Sequence, residues 1–279
     1  MSVRVVTDSS AVLPRPWVES LPLDVVALQL AWPDGRTLQG DPPYTEVSDE
    51  VLRRTPPSTA APSPGAFAEL FERLLADGHD VLTVTPPSEF STTFSGATLA
   101  ARNIGGERIR VLDSRTAAAG QGIVAGEAAR RAASPGATLD DVCDAALRAA
   151  SRTEIWATLV HLDYLRRSGR VPAIAAVGAG ALRLQPVVRY AGGSPTPVGV
   201  TRSAARGAER VLQAWERSVL PGRSLRLIAF HCERGDEAVS LSARVLERAP
   251  GADAHVVAVP ASLAAHVGPG LVGLAWVWD

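Results

Sequence analysis

Residues 86–97 read Pro-Pro-Ser-Glu-Phe-Ser-Thr-Thr-Phe-Ser-Gly-Ala, which gathers hydroxyl side chains at Ser88, Ser91, Thr92, Thr93 and Ser95. An apolar run over 80–85 precedes them and reads as a buried strand, and a helical pattern begins at 97. Strand, polar turn and helix is the arrangement in which α/β proteins collect polar groups around a ligand. Unpaired N–H groups at a helix start, with hydroxyls beside them, favour a carboxylate or a phosphate. The plain alternative is a capped, solvated turn, because Ser and Thr are common helix N-caps. Two other short apolar runs also end in polar clusters, Thr7-Asp8-Ser9 and Asp113-Ser114, each followed by a helical segment. Strands so connected are expected to be parallel, and their C-terminal ends then converge on one edge, where open sheets bind ligands.

Other side chains stand out singly. Arg170 follows Gly169 in a polar turn and is either a ligand-facing arginine or a surface one. His266 precedes Gly-Pro-Gly, a run that implies close backbone approach to a neighbour. Arg202 adjoins Ser203, which can simply cap the helix after it. Asp8 can orient the hydroxyls at the sheet edge or serve as a turn residue. His79, His161, His231 and His255 lack paired metal-ligand spacing and read as structural, so no metal is expected. No Gly-x-Ser-x-Gly elbow occurs, which argues against a serine hydrolase built on Ser91, His266 and Asp113.

The elements that must position these groups fall into two textures. In the first half, strands are expected over 3–6, 23–32, 80–85 and 109–112. Helices are expected over 48–53, from Ser63 as N-cap with Pro64 in the first turn, from 97, over 119–133 and over 139–153. Phe67, Leu70, Phe71 and Leu74 make one buried helical stripe. In the second half, a strand over 156–160 and a helical turn over 162–167 lead to a tight turn at 168–172. Residues 187–202 form two strands around Gly192-Gly193, a hairpin. A helix over 203–219, strands at 225–230 and 255–259 around a helix at 237–248, and a last strand at 271–278 complete the pattern. The expected architecture is α/β in two domains, 1–153 with a parallel, Rossmann-like sheet and 154–279 with a mixed sheet.

Composition narrows the chemistry. The chain has 279 residues and a net charge of −1, so nothing favours nucleic acid as a partner. Every one of its 28 basic residues is arginine, which excludes a Schiff-base or P-loop lysine. Cys143 and Cys232 are far apart and suggest neither disulfide nor zinc. With no signal-peptide pattern and no apolar run of about 18 residues, a cytoplasmic location without a membrane segment is expected.

Taken in order, these blocks resemble the DegV family over essentially the whole length. Residues 5–14, Val-Val-Thr-Asp-Ser-Ser-Ala-Val-Leu-Pro, are similar to the family's N-terminal signature, and Thr59-Ala-Ala-Pro-Ser-Pro to its Thr-Ser-Gln-Pro-Ser-Pro block. Ser88 to Phe94 stands in the place of the Ser-Gly-Thr block, and Asp163 to Arg170 resembles the Leu-(Lys or Arg)-x-(Ser or Gly)-Gly-Arg block. Thr201-Arg202-Ser203 occupies the usual Val-Arg-Thr position, and His266 to Gly270 the His-x-Gly-x-Gly segment. The departures are Ala60 for Ser, Ala61 for Gln and Thr92 for Gly.

The resemblance implies a fold and a role. The family's better-understood members are the fatty-acid-binding subunits of bacterial fatty acid kinase, active in phospholipid metabolism. They hold one long-chain fatty acid in an apolar tunnel between two α/β domains. By that resemblance Thr59 and Ser91 hold the carboxylate, and Arg170 and His266 lie at the headgroup. Arg202 and Thr93 are secondary headgroup or kinase-facing residues. The chain would be non-catalytic by itself, with no cofactor but its bound fatty acid. A separate ATP-dependent kinase subunit would phosphorylate the acyl carboxylate. The readings set beside this are an acyl-ligand sensor without a kinase partner and the Ser91 hydrolase.

Overall fold

The computed structural model describes residues 2–46, 56–104, 106–160, 162–169 and 184–279. Arg170, His161 and the helix expected over 48–53 lie outside the described residues. The chain folds into two compact units, Met1–Asp41 with Ser58–Ser151, and Pro42–Pro57 with Arg152–Asp279. A single division after 153 is the expectation from sequence; in the structure a second, earlier piece of chain also belongs to the C-terminal unit. Pro43 bridges to Pro260, and Ala261 N–H donates to the Pro42 carbonyl at 2.8 Å.

The first unit is built on four strands: β1 (Ser2–Asp8), β2 (Leu23–Val26), β6 (His79–Thr85) and β7 (Ile109–Asp113). They pair in the order β2-β1-β6-β7, and every pair is parallel. Helices cover both faces. Against one lie α2 (Pro64–Ala76) and α3 (Thr93–Ile104), where Phe67, Leu70, Phe71 and Leu74 meet Val6 and Val81. Against the other lie α4 (Ala119–Ala132) and α5 (Leu139–Arg152), where Val124, Ala128 and Val142 meet Val5 and Leu82. Val5 and Val6, adjacent in sequence, thus enter opposite cores, as the two-residue period of a strand requires. Ser63 caps α2 by accepting from Ala66 N–H, with Pro64 in the first turn, as its sequence predicts.

The apolar stretch over 23–32 is two strands and not one. The chain leaves the parallel sheet after Val26, where Ser9 N–H takes the Val26 carbonyl and Ser9 Oγ receives Leu28 N–H at 2.8 Å. It resumes as β3 (Gln29–Ala31), the centre of a small antiparallel sheet with β4 (Thr37–Gln39) and β5 (Ser58–Ala60). Nothing in the apolar pattern marks the break, because Ala27 and Leu28 continue the run with neither Gly nor Pro. The helix expected from 97 begins four residues earlier, at Thr93. A short α1 (Arg15–Ser20), which the sequence reading lacked, buries Trp17.

The second unit carries a mixed sheet of β8 (Glu154–Thr158), β9 (Gln185–Ala191), β10 (Ser194–Thr201), β11 (Leu225–His231), β12 (Asp253–Ala258) and β13 (Val272–Trp278). Its order is β10-β9-β8-β13-β11-β12, with only β11 and β12 parallel. The expected hairpin is β9–β10, turning through Gly192 (φ 65°) and Gly193 (φ 94°), both in the left-handed region that a two-residue turn of this type needs. β8 spans 154–158, two residues earlier than the sequence pattern suggests. α7 (Ala204–Arg217) is capped by Ser203, and α8 (Gly235–Arg248) joins the parallel pair. Trp215, Leu227, Leu274 and Trp276 form the core. Two short helices, α6 (Asp163–Ser168) and α9 (Ala261–Val267), also belong to this unit. Among the described residues no helix is long and apolar enough to cross a membrane.

The glycines of α4 let it approach its neighbours closely. A Cβ built at Gly126 would stand 2.6 Å from the Trp17 ring, closer than side chains pack. Gly126→Ala is therefore expected to cost about 1–3 kcal/mol of stability through overpacking. Urea unfolding checks it: the midpoint should fall while the slope stays unchanged.

Candidate functional site

Parallel pairing aligns the strand ends. Asp8 lies opposite Val26 on one side, and Thr85 lies opposite Asp113 on the other. The three polar clusters singled out from sequence thus stand along one edge of one sheet. Asp8 is the deepest charged group there, with 1% of its surface exposed.

Its carboxylate accepts hydrogen bonds from three separate segments. Ser10 donates to Oδ1 through Oγ at 2.6 Å and through its backbone N–H at 3.1 Å. Gln121, fully buried on α4, donates from Nε2 to Oδ1 at 3.1 Å and to Thr7 Oγ1 at 3.0 Å. Thr93, fully buried in the first turn of α3, donates from Oγ1 to Oδ2 at 2.9 Å. Burial raises the Asp8 carboxyl above its ordinary range, and the hydrogen bonds from Ser10, Gln121 and Thr93 oppose that rise in part.

Outward from Thr93 the chain of hydroxyls continues. Ser91 Oγ lies 2.9 Å from Thr93 Oγ1 and accepts Thr93 N–H at 3.2 Å. Ser91 is half-buried. The turn that carries it is fixed by Phe90 N–H and Ser91 N–H, both donating to the Pro87 carbonyl, and by Asp113 accepting Ser88 N–H at 3.0 Å. Asp113 also accepts Arg115 N–H. Ser114 is buried and donates to the Thr85 and Thr116 carbonyls, a structural role. Thr92, which stands where glycine is usual in the family, leaves its side chain exposed, while its carbonyl accepts from Ser95 Oγ and Gly96 N–H. The turn accommodates it.

Thr59 sits at the middle of β5, half-buried and opposite Leu30. The segment after it reaches the first turn of α3: a Cβ at Gly96 would lie 3.5 Å from the Pro62 carbonyl and 3.9 Å from Pro64 Cγ. The end of the block that holds Thr59 therefore lies against the helix that follows Ser91. Ala60, next to Thr59 on β5, is exposed.

In the second unit the predicted residues fall into two places. His266 lies in the last turn of α9, half-buried, and the glycines after it pack tightly. A Cβ at Gly268 (φ 73°) would stand 2.3 Å from the Tyr164 ring, and one at Gly270 (φ 90°) 2.6 Å from Val160. The close approach implied by Gly-Pro-Gly is thus to Tyr164 on α6 and to Val160, in the loop between β8 and α6. Arg202 lies elsewhere, exposed between β10 and α7, where it lines an open cavity of about 530 Å³ with Arg206, Arg210 and Glu209.

Gln121 and Ser10 were not singled out from sequence. A signal for Gln121 exists: it stands between Gly120 and Gly122 on a helix whose buried residues are otherwise Gly, Ala, Ile and Val. A lone amide on such a face needs a buried partner. The turn ahead of α4 holds Arg115 (φ 51°) and Ala118 (φ 53°), non-glycine residues with positive φ of the kind that cluster where a loop is tightly constrained. Among the described residues no cluster of His, Cys, Asp and Glu could hold a metal ion.

Comparison with known proteins agrees over the full length. The family model described as "Uncharacterised protein, DegV family" matches residues 2–279. A DegV domain-containing protein of Streptomyces coelicolor is 34% identical, covering 98% of this chain and 97% of its own. One from Mycobacterium tuberculosis is 35% identical over 98% of this chain and 96% of its own. Among solved structures, a fatty-acid-binding DegV family protein from Thermus thermophilus superposes with a TM-score of 0.89 at 27% identity, covering all of both chains.

The buried Asp8 gives the fold a pH signature. A carboxyl raised in the folded state keeps its proton at pH values where the unfolded chain, near about 3.9, has lost it. The folded state then binds more protons, so stability falls as pH rises through the window between the two values and levels off above it. Asp8→Asn removes that titration. Urea unfolding across pH should show the wild type losing stability relative to the variant over this window; parallel curves would contradict the burial argument.

Proposed function

This chain belongs to the DegV family, and from that premise we propose that it binds one long-chain fatty acid, its carboxylate at the Ser91 hydroxyl and its alkyl chain in an apolar tunnel. The observation that carries the reading is the hydroxyl chain from buried Asp8 through Thr93 to half-buried Ser91, at the ligand-binding edge of a parallel sheet. Thr59, on β5, supplies a second hydroxyl. The family resemblance further proposes Arg170 and His266 for the headgroup and exposed Arg202 as a kinase-facing residue, while Thr93, fully buried, acts behind Ser91 and faces no partner. The fatty-acid binding of the Thermus thermophilus relative supports the ligand class.

The energetics suit this division of labour. Each methylene removed from water contributes about 0.8 kcal/mol, so the tail supplies most of the affinity. The headgroup must then keep its hydrogen bonds, because a buried unsatisfied carboxylate is expensive. Hydroxyls satisfy it and leave an oxygen able to react. That suits presentation to a separate ATP-dependent kinase subunit, which would form the acyl phosphate, the chain being a non-catalytic carrier.

Native mass spectrometry of the purified protein tests the ligand. The expected result is an added mass of a fatty acid of about 14–18 carbons, lost on denaturation. Ser91→Ala should weaken binding by about ten- to hundredfold, the loss of one hydrogen bond to a charged group. Unchanged affinity in that variant removes Ser91 from the site. Co-purification with a kinase subunit tests the carrier role; a loaded protein that never associates with one favours a sensor.

A further inference from the structure

The two hydroxyl protons of Thr93 and Ser91 are both used by the two contacts the chain already makes, so none is left for a ligand at Ser91. We infer that Asp8 is a proton-coupled positioning residue: binding of a carboxylate at Ser91 draws one proton from solvent onto Asp8. The inference rests on the reading of Ser91 as a carboxylate-binding residue.

With Asp8 ionised, the accounting is closed. Thr93 has one hydroxyl proton, and it goes to Asp8 Oδ2 at 2.9 Å. The 2.9 Å contact between Ser91 and Thr93 must then use the Ser91 proton, with Thr93 Oγ1 accepting. Ser91 Oγ also receives Thr93 N–H. Both hydroxyl protons point inward, and Ser91 offers an approaching anion only a lone pair.

Adding one proton to Asp8 Oδ2 reverses the chain without moving a heavy atom. Oδ2–H donates to Thr93 Oγ1, the Thr93 hydroxyl turns to donate to Ser91 Oγ, and the Ser91 hydroxyl proton is released outward. Oδ1 keeps its donors from Ser10 and Gln121. The proton comes from water, no covalent bond other than O–H changes, and the carboxylate arriving at Ser91 replaces the charge lost at Asp8. Two carboxylates sharing one poorly solvated site do not both stay ionised, which is the driving force. Burial already moves Asp8 in the required direction.

The surrounding charges leave this coupling to Asp8. On the elements packed against β1, Asp24 is paired with Arg4, Asp80 with Arg108 and Glu127 with Arg130. His79 bonds Ser2 at the opposite end of the sheet. At the same edge, Asp41 accepts from Ser9, and Asp113 accepts from the backbone N–H groups of Ser88 and Arg115. Neither belongs to the Asp8–Thr93–Ser91 chain.

Isothermal titration with decanoate as the probe, in two buffers of different ionisation enthalpy between about pH 6 and about pH 9, counts the protons taken up. The probe's own carboxyl stays ionised throughout. The expected uptake rises with pH toward one per decanoate, while affinity falls toward tenfold per pH unit. Asp8→Asn should take up none, its amide donating to Thr93 as the protonated acid would. Thr93→Val should lose at least tenfold in affinity, and Thr93→Ser should restore it. Wild-type binding without uptake at any pH, equal uptake in Asp8→Asn, or a folded Asp8→Asn that no longer binds each overturns the inference and leaves the carrier reading standing. A wild type that binds no decanoate and carries no fatty acid overturns both. The wild-type measurement stands alone if a variant fails to fold.

Discussion

The first unit is arranged around one costly group, the Asp8 carboxylate, held almost out of reach of water at the end of a central strand. A charge in that position survives only if its hydrogen bonds are supplied by the protein. Each supplier comes from a different part of the chain: Ser10 from the loop after β1, Thr93 from the start of α3, Gln121 from α4. Satisfying one carboxylate therefore fixes two helices, one on each face of the sheet, relative to the strand between them.

The layers make this possible because they differ in bulk. On one face large side chains, Phe67, Phe71 and Leu70, fill the space between the helices and the sheet. On the other, α4 presents mainly Gly and Ala, so its backbone comes near enough for an amide as short as Gln121 to reach both Thr7 and Asp8. The tight contact of Gly126 with Trp17 comes from the same closeness. The second unit applies the same device around His266, where Gly268 and Gly270 bring the backbone against Tyr164 and Val160.

Much of this was legible in the sequence, for identifiable reasons. The Phe67–Leu74 stripe, the Ser63 cap and the Gly192-Gly193 turn are local: period, cap and turn chemistry lie within a few residues. Convergence of the Asp8, Ser88 and Asp113 clusters followed from connectivity, since strand–helix–strand repeats force parallel pairing. What escaped was non-local. The split at Val26 depends on Ser9, which captures the backbone on both sides of the break. The sheet carrying Thr59 joins three short strands whose pairing no local pattern announces. Gln121 gave only a compositional hint, and its partner, Asp8, lies 113 residues away.

The proposed carboxylate ligand at Ser91, two hydroxyls from Asp8, poses an electrostatic problem that can be answered in two ways. The resemblance assigns Arg170 to the headgroup, and an arginine stays charged at every pH a protein meets, so it attracts the anion without discrimination. A buried acid at the end of a hydroxyl chain behaves differently. It gives the site a donor or an acceptor according to whether it holds a proton, and it does so over a distance of two hydroxyls without exposing its own charge. A fixed cation supplies affinity, whereas a group that titrates supplies a reversible bias. In the proposed carrier, that reversible bias is the property an arginine cannot provide.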